Sequence, residues 1–324
     1  MTVASQVVYI SMTDAVASTR TRDVSAIAPR RPRFAVIFNP VAGSPKRRRA
    51  LARAVRALRT SGCRVKLRAT NAAGDAARSA ATIARAGTFD AILVAGGDGT
   101  LSEAAHGLAT AGAARLPALA FLPLGTANVM AHEIGLPTDP ARAASVAARL
   151  RTIEVPLAQA NGRHFLLMAG AGFDAHVVRG VDPSVKRNWG KLAYVAGMVR
   201  QLGRFPFRPY RMTIDGVAHE AASVVVSRGR HYGGRFVLAP SADLRAPTMQ
   251  VCLFRTGGRG GVLLYAIALG LGLLPRAPGF EIVTGRRVTV AGSDGEPVQA
   301  DGDSIATLPL EIAMTERTIR LVVP

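Results

Sequence analysis

Residues 92–108 read ILVAGGDGTLSEAAHGL. Ile92 to Ala95 make a continuous apolar run of the kind that fills a strand buried on both faces. The next four residues, Gly96-Gly97-Asp98-Gly99, carry almost no side-chain bulk, and helical spacing begins directly behind them. A strand that ends in glycine and passes straight into a helix lets the backbone approach a ligand closely. Its amides and the positive end of the helix dipole then supply donors for an anion. The stretch predicts a strand, a phosphate loop and a helix, with Gly96, Gly97, Gly99 and Thr100 around a polyphosphate. Thr100 is the expected N-cap of a helix running to about Leu108. Asp98 is the odd member, because a carboxylate beside phosphate repels it unless Mg²⁺ or its waters intervene or the acid braces the loop. A tight turn with no ligand would also explain a lone Gly-Gly-Asp-Gly, so the flanking sequence has to decide.

Working outward, Phe34–Phe38 reads as a strand followed by turn chemistry at Asn39, Pro40, Gly43 and Ser44. A helix is expected from Lys46 to Leu58, where Leu51, Val55 and Leu58 recur at helical spacing. CRVKLRAT reads as a strand, NAAGDAARSAATIARAG as a helix closed by Gly87, and PALAFLPLG as another strand before a helix near Asn128. This alternation predicts a doubly wound, mostly parallel α/β sheet over residues 34–152, which binds ligands beyond the carboxyl ends of its strands. After residue 152 short runs such as FLLMAGAGF, YRMTIDG, AASVVVSRG, MQVCLFR and RRVTVAG recur between glycine-rich turns. They predict a second, β-sandwich-like domain over 153–310, interrupted by helices near 188–202 and 261–274, with a strand at 311–324 returning to the first domain. Residues 1–33 read as a disordered leader with no signal-peptide core, and Met12 is an alternative start.

The 324 residues carry 41 Lys plus Arg against 21 Asp plus Glu, a formal charge of +20, and nearly all of the basicity is Arg. Such a field attracts anions without choosing among nucleotides, nucleic acid and acidic lipid. No zinc finger, helix-turn-helix or aromatic stacking motif supports nucleic acid. Cys63 and Cys252 lack the spacing of a disulfide framework or thiolate metal site, which fits a reducing compartment. The six histidines show no clustering at ligand spacing. The apolar run from Gly261 to Pro275 falls short of the roughly 18 residues that span a bilayer, so it is a core or interfacial helix.

Gly-Gly-Asp-Gly-Thr is shared by NAD kinases, phosphofructokinases and the diacylglycerol/sphingosine lipid kinases, and the flanking motifs resemble the last of these. FNPVAGSPKRR resembles their asparagine-proline-x-x-glycine nucleotide motif, here Asn39, Pro40 and Gly43. PLGTANVMAHEIGLP resembles their second nucleotide segment, with Thr126 and Asn128, and RATNAAGDA the stretch that supplies Thr70. The likeness spans Phe34 to Pro324 and is closest to the bacterial soluble diacylglycerol kinases. It implies ATP and Mg²⁺ as cofactors and transfer of the γ-phosphate to a hydroxyl of diacylglycerol or a related lipid, in a cleft between two domains. The implied nucleotide contacts are Asn39, Pro40, Gly43, Thr70, Gly96, Gly97, Asp98, Gly99, Thr100, Ser102, Thr126 and Asn128. A cytoplasmic enzyme that takes its lipid from an anionic membrane surface is expected, and the sequence leaves subunit pairing open. The alternatives are an NAD kinase-like enzyme and a catalytically degenerate nucleotide- or lipid-binding regulator.

A carboxylate must take the hydroxyl proton, and Asp98 is one acid of the cleft. Late in the chain two similar pieces compete, SDGEP at 293–297 and QADGDS at 299–304. Asp294-Gly295 reads as a hairpin turn. The second piece precedes a run that resembles the family's carboxyl-terminal segment, so Asp301 and Asp303 inherit the catalytic region, with the choice between them open. Asp303 stands where the family usually has Glu. The family's ancillary Mg²⁺ segment, proline-alanine-leucine and then aspartate-glycine, resembles PSADLRAPTMQV, where Ala246 and Pro247 replace aspartate-glycine. That metal is expected to be absent or weak unless Asp243 substitutes. Arg228 stands where relatives often have asparagine.

Overall fold

A computed structural model describes residues 31–40, 45–180 and 191–324, with side chains assigned from 196 onward in the last segment. The leader expected over 1–33 lies outside the described residues up to residue 30, and Gly43 lies outside them as well. The first four strands are β1 (Arg33–Phe38), β2 (Arg64–Ala69), β3 (Ala91–Gly96) and β4 (Ala118–Pro123), all parallel, in the order β2-β1-β3-β4. Between and after them run helices α1 (Pro45–Thr60), α2 (Asp75–Ala86), α3 (Asp98–Ala109), α4 (Val129–Glu133) and α5 (Pro140–Ala148). Right-handed crossovers put α1 on one face and α2 and α3 on the other. The contacts agree: α1 packs on α5, and α2 on α3. Sequence explains the sheet's depth, since Phe34 to Ile37 and Ile92 to Val94 have no exposed surface and are apolar at every position.

The remaining strands are β5 (Thr152–Ala160), β6 (Arg163–Phe165), β7 (Met168–Ala171), β8 (Tyr210–Ile214), β9 (Val217–Ala221), β10 (Ser223–Ser227), β11 (His231–Tyr232), β12 (Phe236–Val237), β13 (Met249–Phe254), β14 (Phe280–Gly285), β15 (Arg287–Ala291), β16 (Pro297–Ala300), β17 (Asp303–Thr307) and β18 (Leu310–Val322). Helices α6 (Phe173–Gly180), α7 (Lys191–Arg204) and α8 (Gly258–Gly270) interrupt them. Six strands form an antiparallel sheet, β14-β13-β10-β7-β16-β17. Its alternation assigns its two faces: Val224, Val226, Val251 and Leu253 enter one apolar cluster with Val288, Val290, Leu310 and Ile312, while Val225 and Cys252 enter the core of the first sheet. The expected fold class, a largely parallel α/β sheet joined to an antiparallel β domain, is the one observed.

The thirteen residues of β18 tie the layers together. Its first residues pair with β15, its end runs parallel to β4 at Leu321 and Leu119, and β5 follows it on the other side with a register shift between Met314 and Thr318. Ile319 and Leu321 accordingly fill the first core, and Leu310 and Ile312 the second. Among the described residues no helix is long and apolar enough to cross a membrane.

Candidate active site

The strand order reverses between β1 and β3, since the chain leaves β1 for β2 on one side and β3 for β4 on the other. Loops that diverge at such a switch point open a crevice at the carboxyl edge of the sheet. Register fixes what lines it: Phe38 pairs with Ala69 and Ala95, and Gly96 pairs with Pro123. Asn39, Thr70, Gly96 to Gly99 and Gly125 to Asn128 therefore leave neighbouring strands at one level. Asn39 is exposed at the rim. Thr70 is buried and bound to β1, its amide donating to the Phe38 carbonyl at 2.9 Å and its hydroxyl at 3.4 Å.

The glycine loop and the 125–128 loop lie backbone against backbone. The Leu124 amide donates to the Gly96 carbonyl at 2.8 Å, and a Cβ built on Gly125 would stand 2.5 Å from Gly97 Cα. Asn128 has a left-handed backbone, φ 49°, and closes its own loop. Its Oδ1 accepts from the Gly125 amide at 2.8 Å while its Nδ2 donates to the Gly125 carbonyl at 3.1 Å. Helix α3 begins at Asp98 with Gly97 as N-cap, so Thr100 sits inside the first turn instead of capping it, with its side chain over Gly96. The puzzle of Asp98 resolves as a brace: its two oxygens accept from the Val129 and Met130 amides, each at 3.0 Å. A carboxylate at the start of α4 satisfies amides that the helix itself leaves open.

Asp301 and Asp303 have separate surroundings. Asp301 (φ 48°) and Gly302 (φ 81°) form the two-residue turn between paired strands β16 and β17, in which Ala300 faces Asp303. Two left-handed residues are the requirement of a type I′ hairpin. The buried Asp301 carboxylate accepts from the amides of Leu166 (2.7 Å), Leu167 (2.8 Å) and Met168 (2.9 Å). Burial raises its pKa, while those amides and the Ser102 hydroxyl pull it down. Ser102, expected at the nucleotide, is buried against this acid. Asp303, half-buried and one step further on, reaches the glycine loop: a Cβ built on Gly99 would lie 2.5 Å from Asp303 Oδ2. The loop thus comes together with Asp303 itself. Asp294-Gly295 is a turn, but it joins β15 and β16, which belong to different sheets, so it is a corner of the sandwich and not a hairpin.

Other groups were not singled out by sequence. Asp174, at the start of α6, is buried, which raises its pKa against hydrogen bonds from the Tyr232 hydroxyl and Gln299. Gln299 Nε2 reaches it at 2.9 Å, and Gln299 Oε1 accepts from the Gly302 amide at 3.1 Å, so this acid steadies the Asp301-Gly302 turn. Glu133, at the end of α4, accepts from the amides of Arg230 (2.9 Å) and His231 (3.0 Å) and from His231 Nδ1 (2.7 Å). An acid two residues after Gly172 is the one signal for Asp174 in GAGFDAHV; no spacing in the sequence marks Glu133. The histidines also pair in space, His106 with His164 (Nδ1 to Nδ1 3.3 Å) and His132 beside His231, which their positions along the chain conceal.

The donors do not fit an ancillary metal at Asp243. Its carboxylate is committed to Arg245, through the backbone amide at 2.9 Å and the guanidinium at 2.9 to 3.2 Å. Among the described residues no three acidic, histidine or cysteine side chains stand together as a metal site.

Residues 33–160 match the diacylglycerol kinase catalytic domain, and residues 168–323 match a domain described as the YegS C-terminal NAD kinase beta sandwich-like domain. A Stenotrophomonas maltophilia protein named "Probable lipid kinase YegS-like" is 32% identical over 300 residues, covering 87% of this chain and 96% of that one. A Bacillus subtilis protein named diacylglycerol kinase is 27% identical over 295 residues, covering 90% and 96%. The crystal structure of a diacylglycerol kinase from Bacillus anthracis superposes with a TM-score of 0.69 at 22% identity, over 90% of this chain and 97% of that one, a likeness of fold.

Proposed function

Because this chain belongs to the diacylglycerol kinase and YegS-like family of lipid kinases, we propose that it transfers the γ-phosphate of ATP to the hydroxyl of diacylglycerol or a closely related lipid. The observation that carries the reading is the Asp303 carboxylate against Gly99 of the glycine loop. A phosphate gripped by the amides of residues 97–100 and the α3 N-terminus would stand beside that carboxylate. Asp303 would take the proton as the lipid oxygen attacks phosphorus in line, and ADP would leave toward the rim where Asn39 lies. Mg²⁺ travelling with the nucleotide supplies charge neutralisation on the phosphates. Asp301, held by three amides and Ser102, is the post that fixes the turn, and Asp98 fixes α4 beside the loop. Radiolabelled ATP with dioctanoylglycerol in mixed micelles tests this, with NAD as the competing acceptor. Asp303→Asn should lower turnover on lipid by roughly 10²- to 10⁴-fold. Wild-type labelling of NAD and not of lipid would defeat the assignment.

The lipid would be drawn from an anionic bilayer by α8. No charged residue falls between Arg259 and Arg276, and the helix shows Leu263, Leu264 and Ile267 to solvent, followed by Leu271 (68% exposed) and Leu273. An apolar face with arginine at both ends suits the boundary between headgroups and acyl chains.

A further inference from the structure

Arg228 is among the largest side chains in the molecule that are fully buried, at 1% exposure. It directly follows β10, and its two terminal nitrogens meet four backbone carbonyls. Nη1 donates to Ala246 and Thr248, each at 2.7 Å, and Nη2 donates to Leu244 at 2.7 Å and Pro156 at 2.8 Å. Four carbonyl oxygens from two chain segments converging on one positive charge form the kind of donor set that hard cations take. Their distances are those of N–H···O bonds, longer than the roughly 2.0 to 2.6 Å of Mg²⁺ or Ca²⁺, so the cage is sized for guanidinium. Burial lowers the Arg228 pKa to about 10, with Asp243 opposing, which leaves the group charged at neutral pH. The cage lies in the segment, 243–248, where the sequence resemblance implies an ancillary Mg²⁺. A fixed charge that occupies the carbonyls repels a second cation, and Ala246 and Pro247 offer it no carboxylate.

We propose that the Arg228 guanidinium is the resident cation of this site, tethered to the chain in place of a dissociable metal. The position explains what such a cation would hold. The Arg228 amide donates to the Leu167 carbonyl at 2.7 Å, and the Leu167 amide in turn binds Asp301. The next three residues enclose Glu133 at the end of α4, whose other end is braced by Asp98. The guanidinium therefore pins the loop 244–248 and β5 to a segment that touches both the Asp301 turn and α4, and it does so without a divalent ion.

Thermal unfolding of the full chain without nucleotide tests this, independently of whether lipid is the substrate. Wild type should shift by less than about 1 °C between EDTA and millimolar Mg²⁺ or Ca²⁺. The double variant Arg228→Asn/Ala246→Asp exchanges the guanidinium for neutral and acidic oxygens. It should melt roughly 5–10 °C lower in EDTA and recover at least about half of that with a divalent ion. A folded double variant indifferent to divalent ions, or a wild type that EDTA destabilises, overturns the proposal. Should the double variant not fold, Arg228→Lys decides with wild type: a divalent response in either refutes the proposal, and none in both supports it.

Discussion

Gly99→Ala separates catalysis from stability at a single methyl group. The new Cβ would stand 2.5 Å from Asp303 Oδ2, 3.2 Å from Cγ and 3.4 Å from Oδ1. Ordinary contact needs about 3.5 Å, so the nearer oxygen must retreat by roughly 1 Å. It can do so cheaply, because a carboxylate turns about two single bonds while the β17 backbone stays paired, Asp303 with Ala300. Residue 99 lies in the first turn of α3, where alanine is favoured over glycine by up to about 1 kcal/mol. The variant should therefore melt at or above the wild-type temperature. A base displaced by about 1 Å from its working geometry loses on the order of 100-fold in rate, equivalent to about 2.7 kcal/mol of barrier. The assay is steady-state lipid phosphorylation with ATP and lipid varied separately, alongside calorimetry. The expected result is a fall in kcat with the KM for ATP little changed. Activity within about threefold of wild type would refute the placement of the base. A rise in KM for ATP at constant kcat would instead mean that the methyl group obstructs phosphate and that Asp303 has no chemical role.

Asp301→Asn turns an amide NH₂ or a neutral oxygen toward three backbone donors; with an unpaired buried group costing about 1–3 kcal/mol, its melting temperature should fall by several degrees, further than that of Asp303→Asn, whose side chain is only half-buried. Equal melting temperatures in differential scanning fluorimetry would reject the division of labour. His164 has its pKa lowered to about 4 by burial, with His106 and Arg317 adding to the shift. The unfolded chain then binds the extra proton from pH 6.5 downward and the folded chain does not until about 4, so stability falls with pH through that window, by at most about 3 kcal/mol. Urea titrations of wild type and His164→Gln should differ in slope between pH 4.5 and 6.5, and parallel curves would contradict this. Ile267→Glu with Leu271→Glu should abolish sedimentation with anionic vesicles at low salt while the melting temperature holds, because both side chains are exposed. Unaltered sedimentation would remove α8 from the membrane.

The parallel half was legible because strands buried on both faces are written as unbroken apolar runs, and their helices as periodic ones closed by glycines such as Gly87. The second half yielded fewer elements. The two residues of β11 and of β12 carry no periodicity, and the eight-residue α6 starts on the last residue of FLLMAGAGF, a run that reads as strand, and is too short to show a helical period of its own. The Asp-Gly pairs show best where sequence rules run out. Both have the chemistry of a hairpin turn, and the sequence reading assigns one to 294–295 alone, yet the I′ turn is 301–302. Local preference tells that a pair can turn; whether the flanking strands then pair with each other is decided by which sheet each one joins. Strand β16 joins β7 and β17, which leaves 294–295 to bridge two sheets. That choice also separates the acids: residue 301, in the turn, faces the amides of 166–168, and residue 303, the first of the returning strand, faces the glycine loop. Likewise no spacing connects Arg228 with Pro156, or Asp98 with Val129, since each is a bond between separate elements that only the closed sheets bring together. Four of the residues expected at the site, Asp98, Ser102, Asn128 and Asp301, hold the loops in place, which is what a site made largely of backbone amides demands of its side chains.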